Sequence, residues 1–311
     1  KDPAKVMHNI ERVTGHLRDR LIAEGMNPQR HVLELVPTKD GKALFRDTEG
    51  GFWRAYHFIE NATAYDQVAE VRQFYEAGRG FGMFQRRLFD FPAEELYETI
   101  PGFHHTTRRF YAFVQSVADD RAGHVAELED EIEFFFERRR MMGQIVKLLS
   151  DGKLPVRVTH NDTKVNNVMI DDVTGEAICV IDLDTVMPGS SLYDYGDAIR
   201  FGASTAAEDE PDLTKIALDL NKFEQFTRGF FQETKGFLPK EELLLMPLGA
   251  KVMTCELAMR FLTDYIDGDL YFKVKSPEHN LIRARAQMRL LTDIESKYGQ
   301  MTEFVEKLTS E

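Results

Sequence analysis

The chain has 311 residues, 43% of them hydrophobic, which is enough to form one large domain or two lobes and argues against a disordered or fibrous protein. Its 39 basic and 52 acidic residues give a net charge of −13, which argues against nucleic acid or an anionic membrane surface as the main partner. No stretch approaches the roughly 20 apolar residues of a membrane span, and the start lacks the pattern of a signal peptide. The sequence therefore predicts a cytoplasmic protein with no membrane partner, and it gives no indication of oligomeric state.

The first sixty residues predict one helix followed by a small antiparallel sheet. Apolar residues recur at three- and four-residue steps over residues 4–23, which is typical of an amphipathic helix. The residues of this stripe are Val6, Ile10, Val13, Leu17 and Leu21. Short β-type runs follow at residues 31–36, 43–45 and 51–60, separated by turn sequences. The only tryptophan, Trp53, lies in the last run and is expected in the core.

The rest of the chain predicts a mainly helical region that contains a small β island. The helical patterns lie at residues 68–89, 122–149, 214–231, 240–267 and 280–298. The β island consists of three β-branched runs at residues 156–159, 168–170 and 177–181. Gly78, Gly80 and Gly82 lie within a helical pattern and lack the strand context of a phosphate loop, so we expect them to permit close helix packing.

The strongest chemical signal is a pair of motifs in the β island. The first has the form HxDxKxxN and runs from His160 to Asn167, and the second is the sequence IDLD that ends in Asp184 after an apolar strand. Turns rich in Asp and Asn are common for structural reasons alone, because these side chains satisfy turn backbones. The two motifs together, with a strand, a turn and a strand between them, favour a site for phosphoryl transfer.

The first motif supplies the groups that phosphoryl transfer needs at the attacking hydroxyl. Asp162 is the predicted catalytic base, since its carboxylate can take the proton of that hydroxyl. Lys164 is predicted to place its ammonium group on the γ-phosphate and to favour ionised acids nearby. His160 is predicted to brace the loop by hydrogen bonds.

The two motifs also supply the hard oxygen ligands that Mg²⁺ prefers. Asn167 and Asp182 are the predicted ligands, and Asp184 is predicted to reach a second metal ion. Magnesium keeps its other coordination positions for water and phosphate oxygens.

Longer motifs resemble those of one known superfamily. They include RVTHNDTK at residues 157–164, IDLDT at 181–185, MPGS at 187–190, DAIRFGAST at 197–205, MRFLTDY at 259–265, GDLYF at 268–272 and PEHNL at 277–281. At these positions the chain resembles the aminoglycoside phosphotransferase and choline kinase superfamily. Within it, the motifs resemble the N-acetylhexosamine 1-kinases most.

The resemblance implies an α+β, protein-kinase-like fold with two lobes. Residues 1–60 would be a truncated small N-lobe with β structure, because the glycine-rich hairpin and lysine-bearing strand of kinases are absent from these residues. Residues 61–311 would be the large, mainly helical catalytic and substrate-binding C-lobe. The hinge between them would contact the adenine of ATP through Glu60, Asn61 and Ala62.

The resemblance also implies a reaction, in which phosphate passes from ATP to the anomeric hydroxyl of N-acetylglucosamine or N-acetylgalactosamine. One alternative is a kinase of a cationic small molecule such as choline or an aminoglycoside. Another is a pseudokinase scaffold without catalysis, although a scaffold has no physical need for the base and the metal ligands together.

The candidate residues for binding the sugar are Arg260 and Tyr271, as a hydrogen-bond donor and an aromatic wall. Arg260 could instead anchor acidic neighbours such as Glu256 or Asp264 on its own helix. Asp194 and Asp197 belong to or border the matching motifs. They are predicted to support the catalytic loop, together with His160.

Overall fold

The computed structural model describes residues 2–66, 68 and 70–311, and the chain divides into two compact units. The first unit comprises Lys1–Pro101, Val156–Asp194 and Glu224–Lys240. The second comprises Gly102–Pro155, Tyr195–Phe223 and Glu241–Glu311. The predicted division into lobes at residues 1–60 and 61–311 stays a prediction.

Helices account for most of the secondary structure. The α-helices are α1 (Pro3–Ala23), α2 (Val71–Arg87), α3 (Thr106–Asp119), α4 (Glu129–Met142), α5 (Gln144–Ser150), α6 (Ser191–Gly202), α7 (Leu220–Thr234), α8 (Lys240–Leu244), α9 (Met246–Asp267) and α10 (His279–Ser310). Helix α6 begins in the first unit and continues into the second, and α7 begins in the second and continues into the first.

The strands are short and antiparallel and all lie in the first unit. They are β1 (Phe45–Arg46), β2 (Phe52–Trp53), β3 (Ala62–Thr63), β4 (Arg157–Thr159), β5 (Val168–Asp171), β6 (Ala177–Val180) and β7 (Met187–Gly189). Strands β1 and β2 form a hairpin, β3, β5 and β6 form a three-stranded sheet in that order, and β4 pairs with β7. The connections after β4 and after β6 carry the two sequence motifs.

The first helix is amphipathic as the sequence predicts. Asp2 caps its N-terminus, because its side chain accepts the backbone N–H of Ala4, and Pro3 occupies the first turn, where no N–H is needed. The predicted apolar stripe is buried, with Ile10, Val13 and Leu21 fully inaccessible to solvent. These side chains pack in one core with residues of β4, β5 and β6, so α1 supports the strands that carry the motifs.

Close packing of α2 explains its three glycines. A Cβ at Gly78 would collide with the backbone carbonyl of Phe226 on α7, and one at Gly82 would collide with Phe230 on the same helix. Gly80 faces the side chain of Val168 on β5. The prediction that these glycines permit close helix packing is therefore confirmed.

The second unit has its own core, built mainly on α9. Phe113 of α3, Phe135 of α4 and Leu291 of α10 pack there with Met259 and Leu262 of α9, and all five side chains are fully buried. Helix α9 is buried along most of its length, which gives it the central position in this unit.

Several predicted elements differ from those observed. The β-type runs at residues 31–36 and 51–60 form only the strand β2 and one bridge between Leu35 and Tyr56, since Pro37 has no N–H with which to extend the pairing. The helical pattern at residues 240–267 is divided into α8 and α9, where Pro247 occupies the first turn of α9.

Other helices are shorter, divided or additional. The pattern at residues 122–149 forms α4 and α5, with Gly143 between them, and the one at residues 280–298 extends as α10 to Ser310. The pattern at residues 68–89 forms α2, Val71–Arg87, and its residue 69 lies outside the described residues. Helices α3 and α6 and strand β7 were not predicted.

Trp53 is 62% exposed, so its predicted place in the core is wrong. Its indole N–H instead donates to the carboxylate of Asp47 across the β1–β2 turn, at 2.6 Å. The cysteines Cys179 and Cys255 are both buried with free thiols, and burial raises the pKa of Cys179 to about 12. Across residues 2–66, 68 and 70–311, none of the helices has the length and apolar character needed to cross a membrane.

Candidate active site

The first motif lies in the connection between β4 and β5. Strand β4 is buried throughout and pairs with β7, with Thr159 opposite Met187. The chain then passes through Asp162 and forms one short 3₁₀ turn, Val165–Asn167, which leads directly into β5. The catalytic candidates are therefore held between two buried strands rather than on an open loop.

Asp194 fixes the backbone of this connection by hydrogen bonds. Its carboxylate accepts the backbone N–H of His160 and of Asn161, each at 2.8 Å, and the side-chain amide of Gln85 at 2.8 Å. Its own backbone carbonyl accepts the hydroxyl of Thr163 at 2.6 Å. Burial raises the pKa of the carboxyl, while these N–H donors oppose the rise.

The imidazole of His160 joins the two motifs. Nε2 lies 2.8 Å from the backbone carbonyl of Ile181, and Nδ1 accepts the backbone N–H of Asp162 at 3.3 Å. Because a carbonyl oxygen only accepts, this pattern assigns the proton to Nε2. The hydroxyl of Thr185 donates to the His160 carbonyl at 2.7 Å, which adds a second link between the motifs.

Asp162 and Lys164 lie together at the surface of this connection. Lys164 Nζ lies 2.9 Å from Asp162 Oδ1, and the two side chains are 38% and 31% exposed. The structure therefore brings the predicted base and the predicted phosphate ligand into contact, and both remain accessible to a bound molecule.

Asn167 and Asp182 are linked through the backbone of their motifs. The Asn167 side-chain amide donates to the backbone carbonyl of Asp162 at 2.8 Å, and the backbone N–H of Ile181 donates to the Asn167 carbonyl at 2.9 Å. Asp182 has φ 59°, a left-handed conformation, and begins a 3₁₀ turn. Such a conformation is uncommon for a residue other than glycine and is frequent at functional sites.

This pair fits the ligand chemistry of Mg²⁺. The Asn167 side-chain NH₂ group donates to the Asp162 backbone, so the side-chain oxygen of Asn167 is the atom that can bind a metal. Asp182 supplies a carboxylate. The described residues contain no group of three or more His, Cys, Asp and Glu side chains that could hold a metal. An amide oxygen and one carboxylate suit an ion that takes its remaining ligands from water and phosphate.

Asp184 has a partner that the sequence analysis missed. Its carboxylate forms an ion pair with the guanidinium of Arg54, on the segment after β2. The guanidinium lies 5.4 Å from the ring centroid of Tyr56. No local signal predicts this pair, because Arg54 and Asp184 lie in distant parts of the chain.

The predicted adenine-binding segment, Glu60, Asn61 and Ala62, begins strand β3. Arg30 donates to the backbone carbonyls of Glu60 and Asn61 at 3.0 and 2.9 Å, and to the carboxylate of Asp171 at 2.7 Å. Hydrogen bonds from Thr174, Arg30 and Val173 hold the pKa of the Asp171 carboxyl below its usual range. The segment is therefore fixed to β5 both by the pairing of β3 and by Arg30.

In the second unit, Arg260 and Tyr271 line the same cavity, of about 160 Å³. The Arg260 guanidinium lies 5.6 Å from the Tyr271 ring centroid and 5.3 Å from that of Phe103. It also lies 3.9 Å from Glu256, one helical turn before it, so the contact with an acidic neighbour is present as well. Arg109, which the sequence analysis missed, lines the cavity too.

Glu256 is buried under this arginine pair. It lies 3.1 Å from both Arg109 and His104. Burial acts to raise its pKa, but the charges of His104, Arg109 and Arg260 bring it below the usual range. Burial and the charge of Arg260 lower the pKa of Arg109. The Arg260–Glu256 spacing of four residues was the one sequence signal for this cluster.

Asp197 also lies in the second unit. Arg200 Nε donates to its carboxylate at 2.9 Å, and the Arg200 guanidinium is almost completely buried. Its predicted support of the catalytic loop stays a prediction.

Comparison with known proteins gives the family. Residues 1–230 match the phosphotransferase enzyme family, abbreviated APH, and the chain belongs to that family. It is accordingly an enzyme, a small-molecule phosphotransferase.

Solved structures show the same fold at low sequence identity. The microcompartment-associated aminopropanol kinase has a TM-score of 0.60 at 16% identity, over 94% of this chain and 83% of its own. The aminoglycoside phosphotransferase from Alicyclobacillus acidocaldarius has a TM-score of 0.62 at 10% identity, over 99% of this chain and 85% of its own. The ethanolamine kinase from Plasmodium vivax has a TM-score of 0.52 at 14% identity, over 90% of this chain and 72% of its own. The predicted kinase-like fold, with a small sheet-containing N-terminal region and a large helical C-terminal part, is thereby confirmed.

Proposed function

We propose that the protein transfers the γ-phosphoryl group of ATP to the anomeric hydroxyl of an N-acetylhexosamine, N-acetylglucosamine or N-acetylgalactosamine, and forms the sugar 1-phosphate. The observation that carries the phosphoryl-transfer part is the contact of Asp162 with Lys164 in a connection fixed by Asp194 and His160. The resemblance of the long motifs to N-acetylhexosamine 1-kinases supports the choice of sugar.

In this proposal Asp162 acts on the sugar. Its carboxylate orients the anomeric hydroxyl and accepts the proton while that oxygen forms a bond to the γ-phosphorus. The bond between the γ-phosphorus and the bridging oxygen breaks, and ADP leaves with the electron pair. Lys164 supplies positive charge beside the transferring group. Such positioning accounts for most of catalysis in this reaction class.

The nucleotide is held by the remaining predicted residues. Asn167 and Asp182 hold Mg²⁺, which neutralises charge on the phosphate oxygens when bound. Glu60, Asn61 and Ala62 contact the adenine. A spectinomycin phosphotransferase shares the fold at a TM-score of 0.52, and its structure is a complex with ADP and spectinomycin. This relative supports a nucleotide as the phosphoryl donor.

The cavity of the second unit supports a neutral sugar as the acceptor. Arg260 and Arg109 present N–H donors, which suit hydroxyl and acetamide oxygens, and Tyr271 is an exposed aromatic ring. A cationic amine would need a carboxylate that accepts little else. Two carboxylates line the cavity: Asp264 already accepts the backbone N–H of Tyr271 and Phe272 at 2.7 and 2.9 Å, and Asp267 accepts the hydroxyl of Ser116 at 3.0 Å.

The test is ADP release with Mg²⁺ and ATP against five acceptors: N-acetylglucosamine, N-acetylgalactosamine, glucose, choline and kanamycin. We expect turnover with the two N-acetylated sugars and a much lower kcat/KM with glucose, which lacks the acetamide group. Turnover confined to choline or kanamycin would move the proposal to an amine kinase. Binding of ATP without turnover of any acceptor would support a scaffold instead.

A further inference from the structure

The segment after β2 contains an arginine that contacts the second motif. The Arg54 guanidinium pairs with Asp184, two residues beyond the predicted magnesium ligand Asp182. The backbone of this segment is fixed on both sides of Tyr56, since Val36 N–H donates to the Ala55 carbonyl and His57 N–H donates to the Glu34 carbonyl, each at 2.9 Å. Arg54 is therefore presented from a fixed backbone and is still 27% exposed.

A second donor lies beneath this guanidinium. The Tyr56 hydroxyl is buried and has no hydrogen-bond partner among the residues that the structure describes. The Tyr56 ring thus lies next to the guanidinium that pairs with Asp184, and a buried donor such as its hydroxyl normally has an acceptor.

We propose that Arg54 binds a phosphate oxygen of the nucleotide and that Asp184 holds the guanidinium in place, rather than binding a second magnesium ion. This inference rests on the proposed nucleotide site. A guanidinium has five N–H donors in a planar fork, so one edge can pair with Asp184 while another donates to phosphate. A second divalent ion at Asp184 would have to displace that cation.

The competing explanation is that Arg54 merely ties its segment to the turn Leu183–Thr185. Loss of a structural tie weakens every ligand of the site alike, whereas loss of a phosphate contact weakens ADP and leaves adenosine unaffected. The comparison of these two ligands therefore separates the two roles.

Calorimetric titration of the protein with ADP plus Mg²⁺, and separately with adenosine, is the test. We expect Arg54→Gln to weaken ADP binding about tenfold or more, with adenosine binding unchanged. The ADP affinity of Arg54→Lys should lie between those of Arg54→Gln and the unaltered protein, because lysine retains the positive charge but lacks the planar fork of N–H donors. The matched control is Arg18→Gln, which removes an exposed ion pair with Glu34 and should change neither affinity.

Three outcomes would overturn the inference. Equal loss of ADP and adenosine binding in Arg54→Gln makes the residue a structural tie. Unchanged ADP binding in Arg54→Gln, with loss in Asp182→Asn, contradicts the role of Arg54 and leaves the proposed function standing. Failure of the unaltered protein to bind ADP contradicts both.

Metal stoichiometry gives a readout independent of affinity. Titration of the ADP complex with Mn²⁺, followed by electron paramagnetic resonance, should show one tightly bound ion, and Asp184→Asn should still show one. Two bound ions that fall to one in Asp184→Asn would make Asp184 a ligand of a second metal and would contradict its role as an anchor.

Discussion

The backbone N–H of Asn161 donates a 2.8 Å hydrogen bond to Oδ1 of Asp194, and Asn161 itself has a left-handed backbone with φ 63°. The neighbouring oxygen of the same carboxylate accepts the N–H of His160. One buried side chain thereby fixes two consecutive peptide groups directly before Asp162. The position of the proposed base therefore depends on this carboxylate.

Replacement of Asp194 tests that dependence. Asp194→Ala leaves the N–H groups of His160 and Asn161 and the amide of Gln85 without their acceptor in a buried place. We expect the free energy of unfolding to fall by about 3 kcal/mol. Asp194→Asn retains one acceptor oxygen and should lose less. Urea denaturation followed by circular dichroism measures both, and equal stability of the alanine variant and the unaltered protein would contradict the account.

The contact between α2 and α7 gives a prediction with an internal control. Gly78→Ala places a methyl group against the backbone carbonyl of Phe226, which cannot move like a side chain, and should cost about 1–3 kcal/mol of stability. Gly15→Ala, in the middle of α1, has no atom within 4 Å of the new Cβ and should stabilise by up to about 1 kcal/mol. Thermal denaturation should show shifts of opposite sign, and a Gly78→Ala protein as stable as the unaltered one would contradict the packing.

Glu256 should make the stability of the protein depend on pH. Its pKa in the folded protein lies below the reference value of 4.5, so the carboxylate stabilises the fold fully above that pH and loses this effect as the pH falls through the lower, folded pKa. Glu256→Gln leaves the partly buried Arg109 and Arg260 and the buried His104 without their carboxylate partner and should cost about 3 kcal/mol at pH 7.

The difference in unfolding free energy between the unaltered protein and Glu256→Gln should accordingly shrink as the pH decreases from 5 to 3. Urea titrations across that range measure it. A difference that is constant with pH would mean that the carboxyl does not lose a proton-linked interaction there.

The proposed sugar contacts should appear in KM. Arg260→Lys keeps the positive charge but loses the planar fork, so we expect KM for the N-acetylhexosamine to rise about tenfold, with KM for ATP unchanged. Tyr271→Phe serves as the matched variant, since it retains the aromatic ring and removes only the hydroxyl. If Arg260→Lys lowers stability and leaves the sugar KM unaltered, the residue serves only as a partner of Glu256.

Features encoded locally were predictable from the sequence. The stripe of α1 repeats every three or four residues, and the HxDxKxxN motif places Asp162, Lys164 and Asn167 in one short connection between β4 and β5, so neighbours in sequence are neighbours in space. Helix α6 was not predicted because it is buried on nearly all sides, so its sequence lacks the one-sided apolar stripe of a surface helix.

Contacts between distant parts of the chain could not be predicted. The pairs Arg54–Asp184 and Arg109–Glu256 join residues that no short-range spacing connects. The exposure of Trp53 has a similar origin, because a short β-type run gives no information on which face is covered. Tertiary packing decides these features, and the spacing of residues along the sequence does not indicate them.

The most direct test of the central claim is phosphorus NMR of the product formed from ATP and N-acetylglucosamine, with the unaltered protein and with Asp162→Asn. The account predicts a sugar 1-phosphate whose phosphorus signal is coupled to the anomeric proton, and a decrease in its rate of formation of at least about a hundredfold in the variant, with folding intact. Phosphate on another hydroxyl, or a variant that retains most of the activity, would contradict it.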